Sequence, residues 1–218
     1  MKLVSLNIGL PREVAWHGRT VITGIFKEAT GERLPLRKLN LDGDGQADLS
    51  AHGGEHKAVY CYPVEHYEYW RNELPGRDLP MGVFGENFTT SGLLENSIHV
   101  GDRFGVGSAE VVVTQPRLPC YKLGIRFHSD DMVKHFLASA RTGFYLAVTR
   151  EGEVAASDEI KPLSLDAKAV PVSEITRLYL TKRFDADDVV CIRRALSVAV
   201  LPDGWKNYFR ERLERAKA

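Results

Sequence analysis

The chain has 218 residues, 44% of them hydrophobic, enough to bury a sizeable core in one large domain or one domain with a small appendage. Lys plus Arg and Asp plus Glu each number 29, so no net charge draws the chain to a nucleic-acid polymer or an anionic membrane. No apolar run approaches the ~18 residues a spanning helix needs, and Cys61, Cys120 and Cys191 form neither a CxxC pair nor a disulfide framework, which reads as a cytoplasmic protein with reduced thiols.

The first eleven residues alternate apolar with small or polar side chains and predict an opening strand rather than a secretory segment. Residues 21–27, 57–62, 98–104 and 110–115 are rich in β-branched and aromatic side chains and bounded by Gly or Pro, the pattern of short strands. Residues 143–160 predict a hairpin in which 144–149 run into Glu151-Gly152 and 153–156 return. Two helices interrupt the strands. One opens with Pro63 in its first turn and sets Val64, Tyr67, Trp70 and Leu74 on one stripe. The other covers about residues 130–140, with Met132, Val133, Phe136 and Leu137 as its apolar face.

After Val170 the texture turns helical. Ser173 is placed to cap a segment carrying Ile175, Leu178 and Tyr179, and Asp185 to cap one carrying Val189, Val190, Ile192 and Leu196. Pro202 opens a third, where Trp205, Tyr208, Phe209 and Leu213 recur at helical spacing. The expected architecture is mostly β, of the α+β class: a β-rich domain over 1–170 and a three-helix appendage over 171–218, with no repeats or low-complexity tract.

Residues 41–57 form the densest special segment. Asp42, Asp44 and Asp48 suggest a calcium loop, but counting from Asp42 the sixth and twelfth places hold Ala47 and Gly53, where an EF-hand needs Gly and Glu. His52 and His56 are four apart, yet Gly53-Gly54 between them opposes a helical zinc pair. A polar, turn-rich loop is the plain reading. Against it stands the His52-Gly53-Gly54 step before Lys57: glycines let backbone N–H groups approach an oxyanion, and a lysine adds a point charge. In residues 82–90, Asn87 either caps a turn or meets a ligand edge.

Residues 111–123 run from a strand into Pro116-Arg117-Leu118-Pro119-Cys120. The prolines remove backbone freedom and present Cys120 on a rigid, irregular edge, while Arg117 and Lys122 favour its thiolate. Such a thiolate suits a soft or redox-active metal and is also a nucleophile; a lone cysteine is otherwise most often a small buried hydrophobe. Cys61, inside a strand, and Cys191, among Val189, Val190 and Ile192, fit that second description. His17, His66, His99, His128 and His135 fall at surface-like positions without ligand spacing. No GxGxxG after a strand, GxxxxGK[ST], GxSxG elbow or cysteine-protease signature is present.

Taken in order, Ser50-Ala51-His52-Gly53-Gly54 with Lys57-Ala58-Val59-Tyr60, then Phe84-Gly85-Glu86-Asn87-Phe88, then Gln115-Pro116-Arg117-Leu118-Pro119-Cys120 with Lys122-Leu123 resemble the MOSC family, named for the C-terminal domain of molybdenum-cofactor sulfurases. Gly143-Phe144-Tyr145 resembles it too, and the tail from about Ser173 is similar to the three-helix appendage of the YiiM-like branch. The resemblance implies a mostly antiparallel, barrel-like β-domain with short helices. It implies that Cys120 ligates the metal of a molybdenum cofactor (molybdopterin), that Arg117 and Cys120 are the catalytic pair, and that His52, Gly53, Lys57, Gly85, Glu86, Asn87 and Arg117 lie around that cofactor. It also implies reduction of N-hydroxylated compounds such as 6-N-hydroxylaminopurine. A chain without a flavin, haem or iron–sulfur motif then takes its electrons from a separate reductase, expected to be a flavoprotein. The three-helix tail offers a surface for it, although Trp205, Tyr208 and Phe209 read first as packing. Two other readings stay open, a persulfide carrier and a non-catalytic cofactor-binding module, because Arg117 and Cys120 serve all three. A homodimer is compatible with the sequence.

Overall fold

The computed structural model describes residues 1–48, 53–166 and 169–215. Their strands are β1 (Lys2–Ile8), β2 (Arg12–Trp16), β3 (Arg19–Thr23), β4 (Glu28–Thr30), β5 (Leu34–Leu36), β6 (Val59–Pro63), β7 (Phe88–Ser91), β8 (Arg103–Val106), β9 (Ala109–Pro116), β10 (Phe144–Arg150), β11 (Gly152–Val154) and β12 (Ile160–Ser164). The helices are α1 (His66–Glu73), α2 (Tyr121–Phe127), α3 (Met132–Ala138), α4 (Val172–Leu180), α5 (Ala186–Ser197) and α6 (Asp203–Arg215). The class is mixed α+β, built on one large sheet.

Eight strands share that sheet in the order β12-β8-β9-β10-β6-β7-β1-β4. Neighbours are antiparallel except β6 and β7, which run parallel with Cys61 opposite Phe88. The order is open, with β12 and β4 outermost. At the start of β12, the Leu3 N–H donates to the Asp158 carbonyl (2.9 Å), the Ile160 N–H to that of Met1 (2.9 Å), and Lys2 bridges Glu159. Those links bend one end of the sheet back toward β1.

Several expected elements move. The hairpin over 143–160 does not form: β10 is flanked by β9 and β6 on both edges, so β11 pairs with β5 instead. Pro63 closes β6 rather than opening a helix, and α1 starts at His66 with Tyr67 and Trp70 buried as the stripe predicts. Residues 55–57 form a 3₁₀ turn and β6 begins only at Val59. Within 98–101 only His99 pairs, as a single bridge to Pro171, and a turn with Gly101 at φ 106° follows before β8. Helix α2 is an addition; it stops at His128, whose left-handed φ of 48° ends the helix. Ser173 lies inside α4, whose first flanking residue is Pro171, whereas Asp185 does cap α5 through a reciprocal pair with Asp188.

Two apolar clusters hold these layers. One joins the sheet to the terminal helices: Leu3, Phe88, Val113 and Phe144 share it with Ile175, Leu178, Ile192 and Phe209. The other is aromatic, with Tyr62, Tyr67, Trp70, Phe84, Phe127 and Phe136 binding α1, α2 and α3 to β6. Trp70 stacks on Phe136 at 5.4 Å and donates its indole N–H to the Tyr62 hydroxyl at 2.6 Å. Emptying a site of this kind costs about 3–5 kcal/mol. This layer therefore fixes the β9–α2 junction that carries Cys120. No helix among the described residues is long and apolar enough to cross a membrane.

Candidate functional site

Between β9 and α2 the chain makes an irregular step of four residues. Arg117 leaves β9 with its N–H on the Gly143 carbonyl (3.1 Å), which turns its side chain inward. Arg117 is 5% exposed, and its guanidinium lies over the Tyr60 ring at 4.6 Å and the Phe136 ring at 5.2 Å and donates to the Tyr60 hydroxyl at 3.3 Å. Burial pulls its pKa down, but Tyr60, Tyr145 and Cys120 outweigh that and leave it above the ordinary arginine value. A buried cation whose titratable neighbours are two phenols and a thiol, rather than a carboxylate, suits an anionic ligand.

Cys120 is half-buried and extended (φ −119°), and its carbonyl takes the first hydrogen bond of α2, from the Leu123 N–H at 2.9 Å. Lys57 faces it from the 3₁₀ turn, which is tied to β9 because the His56 carbonyl accepts from the Thr114 hydroxyl (2.7 Å) and the Gln115 amide (3.3 Å). Burial holds the Lys57 ammonium below the ordinary lysine range, against an opposing pull from Cys120. Cys120, Arg117, Lys57, Lys122 and Tyr145 thus line one cleft of about 640 Å³, open solvent at its mouth included.

The opposite wall contains residues the sequence did not mark for the site. Lys27 donates to Asp44, and both are buried. Asp44 also accepts the Gly9 N–H (2.9 Å) and the Asn87 side-chain amide (2.9 Å), while the Asn87 carbonyl oxygen accepts the Tyr60 N–H (3.1 Å). Asp44 is therefore a strut: its oxygens serve a lysine, an amide and a backbone N–H. Among the described residues Asn87 caps no turn of its own: its side chain ties Tyr60, Asn7 and Asp44 together, and it lines the cleft. Lys27 carried no sequence signal, since its partner is 17 positions away on another loop.

The other expected site residues separate. Gly85, at φ 86°, lines the cleft, and a Cβ there would press on the Ile25 side chain at 2.9 Å. Glu86 does not reach it: the carboxylate is fully buried and accepts from the Gly82 N–H (2.9 Å), the Phe84 N–H (3.1 Å), the Thr89 hydroxyl (2.9 Å) and the Tyr67 hydroxyl. Gly53 lines a neighbouring cavity instead, and His52 lies outside the described residues. His66, expected at the surface, is 12% exposed and paired with Glu95 at 2.7 Å, so it is a structural contact. No cluster of three His, Cys, Asp or Glu able to hold a metal occurs among the described residues, which leaves Cys120 as a single sulfur donor in a cationic cleft.

A comparison with known families decides what this geometry belongs to. The pattern described as "MOSC domain" matches residues 48–161, and the "YiiM-like, 3-alpha helix domain" pattern matches 170–216. The chain belongs to the MOSC-domain family. As a MOSC protein it is 38% identical to the uncharacterized protein YflK of Bacillus subtilis over 98% of this chain and 95% of that one. It is 35% identical to protein YiiM of Escherichia coli, over 87% and 84%. A Gibberella moniliformis protein named "Reductase" is 31% identical over 67% of this chain but only 26% of its own length. Among solved structures, YiiM from Geobacillus stearothermophilus superposes with a TM-score of 0.80 at 31% identity, covering 97% of this chain and 98% of that one.

Proposed function

We propose that this MOSC protein is an oxidoreductase that holds a molybdenum cofactor through Cys120 and reduces N-hydroxylated compounds, 6-N-hydroxylaminopurine among them. The observation that carries the reading is the convergence of Cys120, Lys57 and the buried Arg117 on one cleft. MOSC domains are associated with this cofactor, and the fungal relative's name adds an oxidoreductase association. The fit test is the cleft's own chemistry. A thiolate gives a soft donor suited to a redox-active metal, and an arginine flanked, among the described residues, by phenols and a thiol gives an anion its counter-charge. When bound, the cofactor supplies the two-electron redox chemistry.

The chain's own residues account for the rest. Reduction follows R–NHOH + 2 e⁻ + 2 H⁺ → R–NH₂ + H₂O, so the N–O bond breaks and the leaving oxygen needs a proton. Arg117 cannot surrender one at ordinary pH, and its role is to hold negative charge. Lys57 Nζ, whose pKa burial lowers, is the cation on this wall suited to give one up. Gly85, Asn87 and the Lys27–Asp44 strut shape and stiffen the opposite side. No flavin- or haem-type motif stands in the sequence, so the two electrons come from a separate reductase, a flavoprotein in this proposal.

The test is molybdenum content by elemental mass spectrometry on protein from a host that makes the cofactor, with 6-N-hydroxylaminopurine reduction driven by a chemical electron donor. Wild-type protein should carry near-stoichiometric metal and turn over; Cys120→Ala should lose both while its melting temperature stays within a few degrees. Full metal and wild-type turnover in that variant would sink the proposal. Metal-free protein with cyanide-releasable sulfur on Cys120 would replace it with persulfide carriage.

A further inference from the structure

Glu95 is a buried acid, 5% exposed, that does not line the Cys120 cleft. Its place is fixed from two sides. The His66 ring, at the start of α1, meets one carboxylate oxygen at 2.7 Å, and the Glu95 backbone carbonyl accepts the Ser173 N–H of α4 at 2.9 Å. The other carboxylate oxygen accepts the Gly143 N–H at 2.8 Å. Burying a carboxylate is unfavourable unless hydrogen bonds offset it, so what this one holds in place is informative.

Gly143 ends an irregular run, residues 141–143, between α3 and β10. All three carbonyls of that run take a hydrogen bond from the cleft side. The Arg141 carbonyl accepts from the Tyr62 hydroxyl (3.1 Å), the Thr142 carbonyl from the Tyr60 hydroxyl (2.9 Å), and the Gly143 carbonyl from the Arg117 N–H (3.1 Å). Burial raises the Tyr60 phenol well above its ordinary pKa, so its hydroxyl keeps the proton it donates to Thr142 while accepting from the Arg117 guanidinium at 3.3 Å. The Thr142 carbonyl and the Gly143 N–H belong to one planar peptide unit, and turning one end turns the other. That unit has no room for a side chain: at φ 67°, a Cβ on Gly143 would lie 2.4 Å from the Cys61 carbonyl and 2.9 Å from the Tyr60 and Tyr62 rings.

We propose that Glu95, backed by His66, is a positioning residue: through the rigid 142–143 peptide it holds the Tyr60 hydroxyl, and with it the Arg117 guanidinium, facing Cys120. This rests on the reading of Arg117 as counter-charge to an anion held at Cys120. Without the Glu95 hydrogen bond the peptide unit is free to turn, Tyr60 loses its acceptor, and the guanidinium leaves its place. The sign of the effect separates this from direct charge. Deleting a carboxylate by itself makes its surroundings more positive and favours an anion at Cys120, whereas losing the position of Arg117 does the reverse.

The test compares alkylation of Cys120 by iodoacetate, an anion, with alkylation by neutral iodoacetamide, on full-length protein from a host that does not make the cofactor. Peptide mass assigns the site. The same thiolate attacks both reagents and iodide leaves from both, so the ratio of the two rates cancels the thiolate fraction and reads positive charge beside the sulfur. Arg117→Met should lower the ratio about three- to tenfold, the scale of one unit charge nearby. Glu95→Ala should lower it about threefold, while Glu95→Gln, which keeps an acceptor for the Gly143 N–H, stays within about 1.5-fold of wild type. The Glu95→Ala/Arg117→Met pair should fall no further than Arg117→Met alone, because the same charge is lost only once. Glu95→Asp keeps the charge but is one methylene too short to span His66 and Gly143, and it should behave as Glu95→Ala does. A wild-type or raised ratio in whichever of these two folds overturns the proposal. So does a Glu95→Gln ratio as low as that of Glu95→Ala, a further fall in the double variant, or an Arg117→Met ratio equal to wild type. If wild type from a cofactor-making host holds no molybdenum, the reading of Cys120 as the metal's ligand fails on its own, and the alkylation ratios still decide the role of Glu95.

Discussion

Cys61 and Cys120 are the same side chain in opposite settings. Cys61 sits mid-strand in β6, fully buried, with the Thr90 hydroxyl 3.9 Å away as its polar contact. Burial pushes its thiol well above the usual range, and the carboxylates of Glu86 and Glu95 push the same way. Cys120 stands half-buried at a strand-to-helix step, facing Lys57 and Arg117 across an open cleft. One is surrounded by rings and acids, the other by cations. The lesson is that a cysteine's chemistry is set by the charge and access its neighbours leave it, not by its own type.

The comparison breaks most sharply at Arg117. Arg117→Met should cut cofactor retention by about 10- to 100-fold, the usual cost of removing a group that orients or counterbalances a bound centre. The same change should leave the melting temperature equal or higher, because it removes a buried cation with no carboxylate ion pair among the described residues. Metal content and thermal unfolding, read on one preparation, check both halves. A large stability loss with intact metal would make Arg117 a packing residue like those around Cys61.

Cys61→Ser tests the other side. A hydroxyl there is smaller and more polar in a fully buried strand, so stability should fall by about 1–3 kcal/mol in urea unfolding. Molybdenum content should not change. Thiol labelling sharpens the contrast further: the metal-free native protein should take one equivalent of maleimide, and Cys120→Ala none, because Cys61 is 0% and Cys191 8% exposed. Labelling of Cys61 in the native state would show that the β6–β7 layer opens more readily than its packing implies.

This contrast was legible in the sequence to a degree that varied by residue. Pro116 and Pro119 bracket Cys120, and a bracket of that kind survives folding because each proline fixes its own backbone angle. The terminal helices were equally readable from their 3.6-residue period and the Asp185 cap. Glu86 was not. A Gly-Glu-Asn triplet looks the same whether the acid faces a ligand or turns back on the Gly82 and Phe84 N–H groups, and only the packing of Tyr67 beside it decides. The Lys27–Asp44 strut and the β5–β11 pairing escaped for a common reason: both join segments whose local pattern is indifferent to the partner. Helix α2 was missed because Gly124 weakens its helical signal; the glycine is there because a Cβ would press on the Ser129 carbonyl at 2.9 Å.

The smallest expected effect comes from a pair remote from both cysteines, and it serves as the control. Asp158 accepts two hydrogen bonds from Arg33, at 2.7 and 3.0 Å, and one from the Ala155 N–H at 2.8 Å, just before β12. The Arg33 hydrogen bonds are the main reason its carboxyl is held below the ordinary value of 3.8, with burial opposing them. A carboxyl whose pKa is lowered in the folded state contributes stability that is present above the unfolded value and lost as pH falls through the folded one. Asp158→Asn should therefore be less stable than wild type near neutrality, by a small margin given how exposed the arginine is. The margin should close as pH falls below about 3.8. Urea unfolding of both proteins across that window checks the sign, and a gap that persists undiminished in acid would mean the aspartate acts through shape rather than charge. In either case maleimide should still find Cys120 and pass over Cys61, because neither thiol's surroundings include this pair.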